Sequence, residues 1–309
     1  MRLAARQETI EYAELDQTVP QRPERRRSWG GAAKVIAPLV LTSVVAAGCG
    51  SGKSGSSEPY PGPGSVSTSS QPPAPKTKTF DLYHAGGTAN IAATGASVSL
   101  RIERPIVGKR DSHSLSELAL RTAMGDLEIG WTVDPAQFRD ANPHLFVFPT
   151  KSQQTPEMAT CYNACGFKAL AGAAIHAGDT LPVGETHRFG AYHSNAHKEW
   201  ELFYDNKEFG FVPDSELGDL GSHGYADSVA IFGEVIADHT PPTPCTQMGD
   251  GKLGKADSEV ASNPTYRNAK MQQETMYLAA FASPPDGRFY QAEVASDGFI
   301  HIGGPGAVC

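Results

Sequence analysis

The chain has 309 residues, 19% of them charged, and a formal net charge of −8. That acidic balance excludes nucleic acid and anionic membrane surfaces as natural partners, because either would be repelled by the bulk of the surface. Its length leaves room for one large domain with a genuine core once the biased N-terminal quarter is set aside.

Residues 1–49 read as an export signal. Arg25, Arg26 and Arg27 precede a run from Val35 to Gly48 without a charge, which closes on Ala46, Ala47, Gly48 and Cys49. A basic segment, a short apolar segment and small residues before a cleavage point form a secretory signal. The apolar run is shorter than the roughly 20 residues that a membrane span needs. AAGC is similar to the lipobox of bacterial lipoproteins, and that resemblance implies a lipid on Cys49 and a location on the outer face of the cell membrane. AGCGSGKS, Ala47 to Ser54, mimics a phosphate-binding loop, but neither a strand before it nor a helix after it is in place to cradle phosphate. Residues 50–79 are Ser, Gly and Pro with almost no apolar content, so they form a disordered tether with a reach on the order of 30 Å. Removing residues 1–49, with 7 basic and 5 acidic groups, takes the net charge to −10.

Residues 80–309 carry almost only strand signals. Ser97 to Ile106 alternates Val98, Leu100 and Ile102 with Ser99, Arg101 and Glu103. The stretch GDLEIGWTVDP, Gly125 to Pro135, alternates more strictly: Leu127, Ile129, Trp131 and Val133 lie on one face, Asp126, Glu128, Gly130 and Thr132 on the other. Further runs start at His144, His187, Glu199, Glu208, Phe289 and Gly298, punctuated by Gly, Pro, Asn and Asp as in hairpins. Lys168 to Ala177 is the one helix-like stretch, with loop and strand as its other reading. SVAIFGEVIAD, Ser228 to Asp238, is apolar on both faces, and Glu234 is its single interior charge. The expected fold is all-β, a double antiparallel β-sheet sandwich with a cleft.

Four cysteines remain beyond Cys49, an even number in an exported domain. Cys161 and Cys165 are close enough to close a small loop, and by elimination Cys245 pairs with Cys309. A cross-link of that span contributes about 4 kcal/mol in the chain-entropy model. Zinc ligation by CYNAC with His176 lacks the four-ligand spacing of a structural site. His193 and His197 have a helical metal spacing that loses its meaning in a hairpin. No metal and no cofactor are expected.

EIGWTVDPAQF, LFVFPT, CYNACGF, IHAGDTLP, FGAYH, WELFYD, FGFVPDSEL, VAIFGEVIA, TQMGDG and GGPGAVC follow one another here in an order and spacing that resemble the neprosin family of glutamic endopeptidases. The resemblance implies a double-sheet sandwich with a long cleft. It implies cleavage of peptide or protein substrates, proline-rich ones above all, after proline, by two glutamates that fall on Glu128 and Glu234. Phe232 and Trp200 are candidate substrate-binding residues, and a monomer is expected. The sequence departs from the family pattern at Phe232 and Gly233, where WGGE becomes FGE, and at Met276 and Tyr277, where a cysteine is usual.

The apolar surroundings of Glu234 favour it for the protonated, acid role and the more polar face of Glu128 favours that residue as the base, with the exchanged assignment left open. Both carboxyls should then reach one water. Two rivals are weighed against this: a two-carboxylate glycoside hydrolase, and a binding module with Trp200, Phe203 and Tyr204 as its platform. Serine and thiol nucleophiles lack their signatures.

Overall fold

The computed structural model describes residues 80–151, 161–239, 244–255, 258–283, 287–307 and 309. The chain divides into two units, Met1–Gln71 and Pro72–Cys309, and all described residues belong to the second. The export signal, Cys49 and the tether lie outside the described residues.

Among the described residues fifteen strands form two sheets, and the strand pairs are antiparallel. The first sheet has six strands in the order β13 (Ala279–Ser283), β1 (Phe80–Ala89), β10 (Ser228–Asp238), β3 (His113–Thr122), β4 (Gly125–Val133) and β5 (His144–Thr150). The second runs β14 (Gln291–Val294), β15 (Ile300–Gly303), β11 (Glu259–Arg267), β2 (Gly95–Arg101), β7 (Thr186–Ser194), β8 (Glu199–Tyr204), β9 (Lys207–Pro213) and β6 (Lys168–Ala169), with β12 (Gln273–Thr275) on β11. Helix is confined, among the described residues, to α1 (Pro135–Phe138), α2 (Gly218–His223) and a 3-10 turn at Asp214–Glu216. The fold is the expected β-sandwich.

Its core lies between the sheets and is built from alternate residues of each strand. Leu118 and Leu120 of β3, Leu127, Ile129, Trp131 and Val133 of β4, and Val229, Ile231 and Val235 of β10 face inward. They share one apolar cluster with Val98, Leu100, Phe189, Trp200 and Leu202 of the second sheet. The Trp131 indole N–H donates to the carbonyl of Arg101 at 3.0 Å and so ties β4 to β2. That bond satisfies a donor that burial would otherwise leave costly.

Of the two readings of Lys168 to Ala177, loop and strand holds and helix does not: two residues pair with β9 and the remainder is turns, since nothing in its small-residue pattern offers a continuous apolar stripe. One expectation fails here. Trp200 is no substrate-binding residue. It is fully buried in the core, because β8 turns Trp200, Leu202 and Tyr204 inward together. Both disulfides form in the expected pairs, Cys161 with Cys165 and Cys245 with Cys309, with α-carbons 5.0 and 5.7 Å apart.

Candidate active site

The alternation that fills the core sends the other half of β10, β3 and β4 to the outer face of the first sheet. Register then decides which side chains meet there. On β3, Glu117 stands opposite Phe232 of β10 and Gly130 of β4. Glu234 stands opposite Leu115, two residues to one side, and Glu128 opposite Ala119, two residues to the other. The three glutamates therefore form a diagonal across three adjacent strands, in the order Glu128, Glu117, Glu234. Each step is a diagonal neighbour relation, about 7–8 Å between α-carbons and within reach of long side chains. The expectation that Glu128 and Glu234 share a single water gives way to this geometry, because β3 runs between them and puts a third carboxyl at the midpoint.

Gly130 makes room for that midpoint. A Cβ there would run into the carbonyl oxygen of Ser116 and meet the Glu117 Cα at 2.8 Å. Apolar patches lie on both sides of the diagonal. Leu115, Phe146, Phe148 and Tyr162 form one, and Ala119, Ala230, Phe232 and Phe281 the other. Phe232 lies on this face under the guanidinium of Arg121 at 4.7 Å and edge-on to His84, but it is as fully buried as Trp200, so it supports the site from beneath and offers no surface to a substrate.

The surroundings of the two outer glutamates differ sharply. His84 of β1 is opposite Glu234 in register, and its Nε2 lies 2.6 Å from Oε2. His113 of β3 approaches from the other side, with Nε2 at 3.0 Å from Oε1. Its far nitrogen, Nδ1, is 3.2 Å from the Ser112 hydroxyl and 4.0 Å from Asp134, whose other oxygen caps α1. Burial pushes the Glu234 carboxyl up, but the hydrogen bonds from His113 and His84 outweigh it and pull it down to about 2. Glu128 has no such partners. Burial pushes it up to about 8, with Arg121, 3.5 Å away, opposing and Glu234 assisting. Of the two distributions of the proton left open by the sequence, this is the one opposite to that favoured by local polarity. Glu234 holds the charge and Glu128 the proton, because two imidazoles from strands distant in sequence were invisible in the local apolar pattern. Both side chains are 17% exposed and so open to a substrate.

A model of the Neprosin family matches residues 110–301. The chain belongs to the neprosin family. The match spans β3, β4 and β10, which carry all three glutamates, and begins after β1 with its His84. No curated protein matches the sequence. Among solved structures, scytalido-glutamic peptidase in complex with a transition-state analogue inhibitor is similar at 6% identity, covering 73% of this chain and 99% of that one with a TM-score of 0.38. SCP-B, a member of the eqolisin family of peptidases bound to the tripeptide Ala-Ile-His, is similar at 7% identity, with the same coverage and a TM-score of 0.37.

Sequence reasoning missed four residues of this neprosin-family site. Glu117 and Arg121 lie on β3 and His84 on β1, strands that it did not recognise, and His113 opens β3. The hairpin offered the signal: pairing backward across the turn at Ala123 and Met124 sets Arg121 against Asp126 and Glu117 against Gly130. Tyr162 is a fifth. The Cys161–Cys165 loop is pinned to β5 by Asn163, whose side-chain oxygen accepts from Val147 N–H and whose N–H donates to the Val147 carbonyl. Tyr162 is thereby held against Phe146, Phe148 and His113. Burial and then the charges of Glu234, Glu117 and Glu128 keep its hydroxyl protonated well beyond its usual range. On the second sheet, His197, Glu199 and Glu201 place one ligand atom each within 4.8 Å of one another. His193, the other half of the spacing noted in the sequence, is instead buried against Asp214 at 3.1 Å.

Proposed function

We propose that this chain is a glutamic endopeptidase in which Glu234 and Glu128 act as base and acid. The observation that carries the reading is a pair of carboxyls on one open sheet face, displaced in opposite directions from the ordinary range. Such a pair divides acid from base work within a single pH window. Water, deprotonated by the Glu234 carboxylate, attacks the carbonyl carbon of the scissile bond. Glu128 gives its proton to the departing nitrogen, and the peptide bond breaks. The apolar patches on both sides of the diagonal are buried and hold the site rigid, and the half-buried side chains of His84, Arg121, Glu128 and Glu234 are what an extended peptide laid across it would meet. Proline-rich chains are the substrates of choice, since they are already extended and lose little freedom on binding.

The dyad works while Glu234 is ionised and Glu128 is not, so activity spans the range between about 2 and about 8 and fades as pH rises through the upper value. Digestion of a proline-rich unstructured protein at pH 5 tests the reading. Wild type should cleave it, and Glu128→Gln and Glu234→Gln should each lose roughly three orders of magnitude in kcat. Full activity in either variant ends the assignment. The binding-module alternative loses its platform, because Trp200 and Tyr204 are buried.

The enzyme is further proposed to be exported and held at the outer face of the membrane by a lipid on Cys49, with the tether setting its reach. Cys49→Ala should move it from the membrane fraction to the medium, and unchanged fractionation would count against the anchor.

A further inference from the structure

The peptidase reading employs two of the three carboxyls on the diagonal and leaves Glu117 without a task. We propose that Glu117 is the relay that returns the proton from Glu234 to Glu128 after each turnover. The proposal rests on the peptidase reading and adds a residue to it.

Glu117 is 1% exposed, and neither carboxyl oxygen has a hydrogen-bond partner. Arg121, on its own strand, approaches Oε1 only to 4.0 Å. The charged and titratable groups around it are Arg121 and His113 from β3, Glu128 and Asp126 from β4, Glu234 from β10, His84 from β1 and Tyr162 from the disulfide loop. Burial first, and then the charges of Glu128 and Glu234, push it well above the usual carboxylate range. A carboxyl in that position holds its proton, and a neutral acid offers one O–H to give and one oxygen that can receive. Two unsatisfied oxygens in a buried site are costly for a purely structural residue. They leave the carboxyl uncommitted, so that it can turn toward either flanking carboxyl, each a diagonal neighbour within reach of long side chains.

The chemistry supplies the need. When the peptide bond has been cut, Glu234 holds the proton taken from water and Glu128 has lost its own. The next cycle requires the reverse, and the two lie a strand apart, beyond the hydrogen-bond distance that proton transfer demands. Glu117 spans the gap by turning to its neighbours in succession. Turned to Glu128, its O–H breaks as an O–H forms there, and turned to Glu234, it takes up the proton as that O–H breaks. One proton enters and one leaves, so the relay ends as it began and no co-reactant is consumed.

Glu117→Gln isolates this role, because the amide keeps the shape and neutrality of the protonated acid and cannot pass a proton on. The full-length variant, followed before steady state on an unstructured peptide at pH 5, should release one equivalent of product per enzyme at the wild-type rate. Steady turnover should then be about tenfold slower, the rate of re-equilibration through solvent. Glu117→Asp, which keeps an exchangeable acid, should turn over faster than the Gln variant. In the infrared, the carboxylic-acid carbonyl band of the wild type at pH 6 should lose intensity in Glu117→Gln. A Gln variant with wild-type turnover and no burst overturns the relay alone, and so does an equal loss in burst and steady state, the mark of a structural role. An Asp variant no better than Gln, or an unchanged infrared band, also overturns it. A wild type that cleaves no peptide brings down the peptidase reading and the relay together, whereas cleavage that depends on Glu128 and Glu234 but not on Glu117 removes the relay only.

Discussion

Glu128→Gln should make the protein more stable at pH 8 while abolishing its turnover. The Glu128 carboxyl is raised from an ordinary 4.5 to about 8 in the folded chain. Between those values the unfolded chain ionises freely while the folded one must keep its proton, so the folded state binds more protons and loses ground as pH rises. At about 1.4 kcal/mol per unit, the penalty is roughly 3 kcal/mol at pH 7 and about 5 kcal/mol above pH 8. Gln removes it without changing shape. Unfolding followed at pH 4 and at pH 8 should show near-identical stabilities at the first and a gain for the variant on the order of 10 °C at the second. A variant that is less stable at pH 8, or equally displaced at both, would refute the buried-acid description of Glu128.

The paired change His84→Phe with His113→Phe should move the acid limb of the activity profile instead. Both imidazoles are withdrawn, so burial and the neighbouring carboxyls act on Glu234 unopposed and its pKa climbs from about 2 to above the ordinary value. At pH 3 the carboxylate needed to activate water is then scarce, and kcat/KM should fall by roughly two orders of magnitude. Near pH 7 the loss should be small. Stability changes with the opposite sign from the first case. A depressed pKa contributes stability that is present above about 4.5 and lost as pH falls to about 2, here about 3 kcal/mol, and the double variant should lack it at neutral pH. An unshifted acid limb would show that the histidines do not hold the charge on Glu234.

The two glutamates proposed to do the chemistry were legible in the sequence for a local reason. Each interrupts an otherwise apolar strand, and strand alternation says which face it leaves by. Strand-level reading also yielded the sandwich, since β4, β5, β7, β8 and β9 carry clear alternation or aromatic runs between turn residues. What it could not supply was anything set by pairing. His84 and Glu234 are 150 residues apart in sequence and directly opposite in space. The Gly-Gly step in β1 and the mixed composition of β3 concealed both strands, and with them went the histidines that reverse the acid and base roles. Trp200 misled for a related reason: beside Phe203 and Tyr204 it looks like a platform, but period two separates Phe203 from the other two.

The site strands are read twice. In β3, Leu118 and Leu120 are spelled into the core and Glu117 and Arg121 onto the outer face, one letter out of phase with them. Substitutions keep the two messages separate, so the outer face is free to change its chemistry without repacking the interior. Loss or gain of a single residue does not, since it shifts the phase, sending the carboxyls toward the core and the leucines toward solvent. A family built on this frame can vary its cleft by exchange of side chains, while insertions and deletions are driven out to the loops.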